Sequence, residues 1–572
     1  MNIRTLLDQR LGEVISAIAG EPCDALVNVS SKPQFGDYQA NGCMAAAKRA
    51  KTNPRAFAEE VLKKIDLSDI ADSLEIAGPG FINIILRQDF LEAQLATMAT
   101  TDALGCELAG EAQTVVVDFS SPNLAKEMHV GHLRSTIIGD ALGRVLEFLG
   151  HSVIRQNHVG DWGTQFGMLL NYMNETGGET TTLANLEEFY RASKQRFDED
   201  EAFATTSREM VVKLQSGDAD CKAAWQQFLD ISLGHCQTAY DRLGVKLTKD
   251  DVRGESFYND DLPIVVKDLD TAGLLKESDG ARGVFLDEYR NKDDEPLFVI
   301  VQKSDGGYLY ATTDLAAMRF RTGEINAQRI LYVTDSRQGD HFAQVFLIAQ
   351  RAGFVPEHVS LEHVPFGMML GDDGKPFKTR AGGTVKLMDL LDEATTRAGD
   401  LVTSKNPGIT DEARETIAAI VGIGALKYAD LSQNRASDYV FAWDKMISLD
   451  GNTAPYMQYA YARIRSIFRK AASNADLGAI VLGEPQERAL GNKLLQFAEA
   501  VDAVARSAMP NVLCSYLFEL AGAYMSFYES CPVLKDDVAP ETRASRLALC
   551  DLVARTIQTG LGLLGIETLE QM

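Results

Sequence analysis

The chain has 572 residues, 45% of them apolar and 24% charged, too many for one hydrophobic core and enough for three or four folded units. Its 56 Lys and Arg against 81 Asp and Glu give a net charge of −25, which excludes a general polyanion-binding surface; any nucleic-acid contact must come from a local basic patch. The eight cysteines form no Cys-x-x-Cys pair, and neither a signal peptide nor an 18-residue apolar run is present. The expectations are a cytoplasmic protein with no structural zinc and no membrane contact.

In chain order, the first predicted element is a helix at Ile3–Ala19, with Leu and Ile at helical spacing. The β-branched run Ala25–Val29 predicts a strand, the turn-rich stretch 32–42 follows, and "GFINIIL" at Gly80–Leu86 predicts another strand. "TVVVDF" at Thr114–Phe119 is of the buried-strand type. Leu133, Ile137, Ala141, Val145 and Leu149 then recur at helical period with Gly150 as a stop, and 152–160 predicts the next strand. Strand, loop, helix and strand within about 45 residues predict a βαβ unit and hence a parallel sheet.

From about Glu175 to Val245 acidic, helical sequence predicts an insertion into this α/β domain. Strand signals return at Pro296–Gln302, Gly307–Ala311, Arg329–Asp335 and Ser360–Met369, with helices expected after Thr312–Asp314 and over Gly339–Gly353. From about Thr410 onward the pattern is helical. The expected architecture is multidomain α/β: a small α/β domain at 1–108, a parallel-sheet domain at 109–405 with the insertion at 175–245, and an all-α domain at 406–572.

The stretch that carries chemistry is "SSPNLAKEMHVGH", Ser120–His132. It leaves the carboxyl end of a parallel strand and enters a helix N-terminus, the crevice where open α/β sheets bind ligands. Free N–H groups and the helix dipole there suit an anion. His129 and His132 flank Gly131, which admits close approach of a ligand, and Lys126 adds a cation. A zinc site would need a third ligand and a His pair four apart. A Ser–His dyad through Ser120 or Ser121 stays open, although no nucleophile elbow surrounds them. Two imidazoles in a glycine turn point instead to donors for phosphate oxygens. Two acids belong to the same crevice if the sheet runs parallel: Asp118 at its strand end, and Asp314 in "YATTD", which also reads as a helix cap.

His129-Val130-Gly131-His132 resembles the His-Ile-Gly-His signature of class I aminoacyl-tRNA synthetases, and Phe119–Asp140 as a whole is similar to the arginyl-tRNA synthetase branch. Similar strings recur at Gln156–Gly167, Tyr310–Ala317, Pro376–Leu387 and Leu426–Ser432. "QFGDYQANG" near the N-terminus and "YLFELAGAYMSFYESCPVL" near the C-terminus fit the same family, so the resemblance covers nearly the whole chain. The chain lacks Lys-Met-Ser-Lys-Ser; "FKTR" at Phe377–Arg380 stands there, as in the arginyl branch. A non-catalytic RNA-binding relative, another class I synthetase or a nucleotidyltransferase remain as alternatives.

The resemblance implies a Rossmann-type catalytic domain, ATP with Mg2+ on its phosphates, L-arginine and tRNA(Arg) as substrates, and activation of arginine only with tRNA bound. No editing domain and no protein-held metal are implied, and a monomer is expected. His129, His132, Lys126 and Lys378 are assigned to transition-state charge, and Gly131, His132, His341, Met369 and Lys378 to ATP. Asp118, Ser120, Asn123, Tyr310, Asp314 and Gln338 are assigned to arginine. For tRNA, Gly451–Ala475 lacks Asp and Glu yet holds Arg463, Arg465 and Arg469 beside Tyr456, Tyr459 and Tyr461. Such interleaving suits backbone neutralisation and base stacking, although aromatics packed inward on an ordinary helix fit equally. By resemblance this all-α domain reads the anticodon region, and Phe35 and Gln39 of the N-terminal domain grip the tRNA elbow.

Overall fold

A computed structural model describes residues 2–30, 32, 35–124, 126–177, 186–377, 385–471 and 476–572. They pack as two units: Met1–Ala109 with Ser448–Leu563 and Glu567–Met572, and Gly110–Ile447 with Leu564–Ile566.

In the first unit the expected helix spans Ile3–Ala19; Asn2 caps its start, Gly20 ends it at φ 77°, and it buries Ile3, Leu7, Leu11 and Ile15 at a spacing of four. Strands β1 (Val27–Val29), β2 (Tyr38–Ala40), β3 (Ala71–Ala77) and β4 (Phe81–Leu86) form an antiparallel sheet in the order β1-β2-β4-β3. The strand read at Ala25–Val29 is shorter because Leu26 takes a positive φ of 53°. Helices Cys43–Arg49, Pro54–Lys64 and Gln88–Ala99 belong to the same unit, as do Ala454–Lys470, Pro485–Leu495, Phe497–Ser507, Asn511–Ser530 and Pro540–Leu563.

The second unit holds the nucleotide-type sheet. Its strands are β5 (Thr114–Asp118), β6 (Ser152–Gln156), β7 (Leu275–Ser278), β8 (Ala281–Arg290), β9 (Pro296–Gln302), β10 (Arg329–Tyr332), β11 (Ser360–His363), β12 (Met369–Leu370) and β13 (Tyr439–Val440). Four of them, in the order β11-β10-β5-β6, make an all-parallel sheet, as the βαβ reading requires. The first half winds from β5 to β6 and the second lies on the other side of β5, so the winding reverses between β5 and β10. That switch point opens a crevice at the carboxyl ends of β5 and β10.

Two readings are corrected. Pro296–Gln302 is a strand, but it pairs with β8 in a separate antiparallel sheet, β7-β8-β9. Gly307–Ala311 is not a strand: Tyr308 makes a single bridge to Gln302, and a helix begins at Tyr310. The Thr312 hydroxyl donates to the Val301 carbonyl and ties the first turn of that helix to β9. Asp314 is therefore inside the Tyr310–Gly323 helix and caps nothing; Leu309 stands at the N-cap.

The insertion is helical at Leu186–Glu199, Glu201–Gln215 and Ala219–Leu243. Helix Asp411–Leu431 packs along Leu387–Lys405, with Gly422 against the Ala394 carbonyl, so this unit runs past residue 405. Helix Val130–Phe148 is buried well beyond its predicted stripe: Arg134, Ser135, Thr136, Ile138, Gly139 and Asp140 are enclosed too. Its Gly139 lies where a Cβ would stand 2.2 Å from Phe119. No helix among the described residues is long and apolar enough to cross a membrane.

Candidate active site

A cleft of about 670 Å3 opens where the sheet reverses its winding. Ten of the residues singled out from sequence line it: Asp118, Ser120, Asn123, His129, Gly131, His132, Tyr310, Asp314, Gln338 and His341.

On one side stands the His129–His132 turn at the start of helix Val130–Phe148. His129 is the N-cap; its Nδ1 accepts from the Gly131 N–H at 3.0 Å, and His132 Nδ1 accepts from the His129 N–H at 3.0 Å. A ring nitrogen that accepts carries no proton, so each neutral ring is the Nε2–H tautomer and keeps that donor for a ligand. The rings are tilted by 35° with centroids 4.0 Å apart. Burial, with His129 close by, pulls His132 down to about 3, and burial with Lys126 nearby lowers His129, so both imidazoles are neutral donors at neutral pH. Gly131 is required by its own turn: a Cβ there would lie 2.8 Å from the His129 ring.

The turn is anchored from behind. Arg134 donates to the carbonyls of Gly367 and Ser437 at 2.7 and 3.2 Å and pairs with the buried Asp430 at 3.0 Å. This ties the helix to the backbone just before each strand, at the N-terminal end of the parallel β12–β13 pairing.

On the other side four carboxylates line the cleft, and their partners separate them. Asp118 is taken: its Oδ2 accepts from Arg321 at 2.6 Å and its Oδ1 from the Ser121 hydroxyl at 2.9 Å. The expectation that Asp118 is open to a ligand cation is thus corrected; an arginine of the protein itself neutralises it. Asp335 is chelated by Arg337 through Nε at 2.8 Å and Nη2 at 2.7 Å. Among the described residues the Asp314 carboxylate is bonded only to His341, Oδ2 to Nε2 at 2.6 Å, and the Tyr310 ring lies 4.7 Å from that imidazole. Glu255 has no ion pair or hydrogen bond to its carboxylate among the described residues. Burial and the negative charges of Asp161 and Asp314 push its carboxyl up to about 8.

Glu255 was missed from sequence. It sits in the unpatterned stretch Arg253–Asp261, and only tertiary pairing brings it to the cleft: Arg253 N–H donates to the Asn157 carbonyl and Glu255 N–H to that of Val159. His158 enters the same way, although "QNHVGDWG" had marked its segment.

Other expectations fare differently. Ser120, at φ 69°, has its hydroxyl bonded to Tyr240 at 2.8 Å and Thr136 at 2.9 Å, and among the described residues no imidazole hydrogen-bonds to it. Lys126 is exposed and does not line the cleft; its ammonium lies 4.9 Å from the Tyr190 ring centroid. Met369 does not line it either, because β12 pairs with β13 and the Met369 carbonyl accepts from Phe377 N–H. Lys378 lies outside the described residues.

In the other unit, Gln39 bonds Asn83 at 2.7 Å and Phe35 is half-buried. On helix Ala454–Lys470, Tyr461 is buried and donates to Glu570, Tyr456 packs 6.0 Å from Phe518, and Tyr459 is exposed. Arg465 pairs with Glu570 at 3.0 Å, Arg469 donates to the Glu570 carbonyl at 2.7 Å, and Arg463 lies 4.6 Å from the Tyr528 ring centroid. Of the three tyrosines the inward reading holds for Tyr461.

Comparison with known proteins gives a consistent assignment. Residues 1–86 match the arginyl tRNA synthetase N terminal domain, 94–443 the catalytic domain of class I (R) tRNA synthetases, and 457–572 the DALR anticodon binding domain. Curated relatives named arginine–tRNA ligase include that of Laribacter hongkongensis, 56% identical over 575 residues, and that of Cellvibrio japonicus, 58% over 582, each with 100% of both chains covered. Among solved structures, the arginyl-tRNA synthetase of Plasmodium falciparum aligns with a TM-score of 0.87 at 32% identity, covering 100% of this chain and 99% of that one. That of Thermus thermophilus aligns at 0.85 and 26%, with 100% of both covered. A switch-point cleft with paired imidazole donors and two carboxylates that no arginine of the chain neutralises, inside a chain matched end to end, identifies this protein as a member of the arginyl-tRNA synthetase family of class I aminoacyl-tRNA synthetases.

Proposed function

We propose that the cleft activates L-arginine with ATP and transfers it to the 3′ end of tRNA(Arg). The observation that carries this reading is the split of the polar lining. Neutral Nε2–H donors at a helix N-terminus face one half, and Glu255 and Asp314, the two carboxylates not neutralised by an arginine of the chain, face the other. The first half suits phosphate and the second a guanidinium, a planar and always charged cation.

In the first step a carboxylate oxygen of arginine attacks the α-phosphorus of ATP and the bond to pyrophosphate breaks. Negative charge grows on the phosphoryl oxygens, where His129 and His132 donate. In the second, a 3′-terminal ribose hydroxyl of the tRNA attacks the adenylate carbonyl and gives up its proton, and AMP leaves. Mg2+ enters as part of the nucleotide substrate. Glu255 and Asp314 bracket the guanidinium, with Tyr310, Gln338 and Asn123 as neutral partners for the rest of the amino acid. His341 acts on ATP only indirectly in this reading, since its Nε2–H is spent on Asp314. Lys126 must leave Tyr190 to reach a phosphate, and Lys378 is its partner cation. Helix Ala454–Lys470 and its neighbours take the anticodon region, and the N-terminal sheet takes the elbow.

The test is charging. Purified protein with tRNA(Arg), ATP and labelled amino acids should render arginine acid-precipitable on tRNA and leave lysine and citrulline free. Charging of another amino acid in preference would sink the assignment.

A further inference from the structure

We propose that Asp161 is a positioning residue for the arginine site, clamping the turn that presents Glu255 to the cleft. The inference rests on the reading of Glu255 as a guanidinium partner. Glu255 opens a short 3-10 turn, Glu255–Tyr258, whose own N-cap is Gly254 and supplies no side-chain bond. Asp161, from the segment after β6, supplies it instead: Oδ1 accepts from the Ser256 N–H at 2.9 Å and Oδ2 from the Ser256 hydroxyl at 2.5 Å.

The clamp is itself held. Asp161 is 5% exposed, and its carbonyl accepts from Trp225 Nε1 at 2.8 Å. Gly254 is pressed against it so closely that a Cβ there would stand 2.2 Å from Oδ2. The flanking bond from Glu255 N–H to the Val159 carbonyl fixes the backbone at 3.1 Å. Glu255 thus starts from a backbone bonded on both of its sides, one bond coming from Val159 and the others from Asp161. Asp161 does not line the cleft and has no contact with substrate in this arrangement, so its effect on arginine must pass through Glu255.

The experiment is a double-mutant cycle read as arginine KM and kcat in aminoacylation with saturating tRNA and ATP, above pH 8, where loss of the Asp161 charge no longer changes how far Glu255 is ionised. Asp161→Ala should raise the arginine KM about tenfold or more, the scale of a lost charged hydrogen bond, while leaving the ATP KM unchanged. Asp161→Asn keeps an acceptor for the Ser256 N–H and a donor for its hydroxyl, so it should restore KM to within about threefold. In a Glu255→Gln background the effect of Asp161→Ala should shrink to about twofold or less. Should Asp161→Ala fail to fold, Ser256→Ala removes the hydroxyl bond from the other side and should raise the arginine KM selectively. A tenfold effect that persists in Glu255→Gln, or equal losses in kcat and for ATP, would overturn the clamp. A Glu255→Gln enzyme with unchanged arginine KM would overturn the reading of Glu255, and this proposal with it. A raised KM in Glu255→Gln beside a normal one in Asp161→Ala overturns the clamp alone.

Discussion

His341 Nε2 donates to Asp314 Oδ2 across 2.6 Å, joining the third residue of helix Gly339–Arg351 to the fifth residue of helix Tyr310–Gly323 at the edge of the cleft. Such a bond leaves Oδ1 as the oxygen that can meet a guanidinium and holds it at one angle. Both side chains are largely buried, so an unfilled or wrongly filled site leaves the carboxylate desolvated.

Replacing Asp314 by Asn should therefore raise the arginine KM by roughly 10- to 100-fold, as expected for one charge-assisted hydrogen bond, with the ATP KM unaltered. Citrulline, which lacks the charge, should be rejected by roughly 10⁴-fold in the wild type, and that margin should narrow in Asp314→Asn. Steady-state charging kinetics check both. A variant that only melts earlier, with normal kinetics, would make Asp314 structural.

The Glu255 carboxyl predicts a pH dependence with a definite sign. Burial, Asp161 and Asp314 raise it to about 8. The free site is thus protonated at pH 7, the ligand guanidinium stays charged throughout, and binding must expel the proton. The arginine KM should fall as pH rises from 6 toward 8, by up to about tenfold per unit, and level off above. Glu255→Gln should abolish the slope. A slope that survives the substitution belongs to another group.

His129→Ala and His132→Ala should each slow arginine activation about 10²-fold or more, the cost of a lost donor to developing phosphoryl charge, with tRNA affinity nearly unchanged. Because His132 titrates only near 3, no acid limb from it should appear above pH 5. Pre-steady-state burst measurements with tRNA bound isolate that step. Loss of tRNA affinity in both variants would place these rings outside the chemistry.

The parallel sheet and the His129–His132 turn were legible because each rests on local pattern: a β-branched run, a glycine turn and a helical stripe. Asp314 was found as a cleft residue but misread in register, since the first turn of its helix is set by Thr312 reaching β9, a contact with no local signature. Asp118 looked available because sequence shows a carboxylate and not Arg321, 203 residues away, that neutralises it. Glu255 was invisible for the converse reason. Nothing around it is periodic, and its place depends on backbone pairing with Asn157 and Val159. Residues whose role is defined by what does not pair with them are beyond pattern reading.

The basic stretch on helix Ala454–Lys470 makes a prediction that needs its own control. Reversing Arg463, Arg465 and Arg469 to Glu should weaken tRNA binding and reduce the slope of log Kd against log salt by about one unit per lost phosphate contact. Two of the three arginines also hold the C-terminal Glu570, so charge reversal would loosen that end as well. Arg463 is free of this tie, its guanidinium lying over Tyr528, and it gives the cleaner single variant. Glu570→Gln is the control: it releases the ion pair with Arg465 without removing a positive charge. If Arg465 is a phosphate contact held in reserve, Glu570→Gln should leave tRNA affinity equal or tighter and the salt slope undiminished. Arg463→Ala should weaken it with a shallower slope. Equal weakening by Glu570→Gln would mean that the docked C-terminus, and not the arginines, supports tRNA binding.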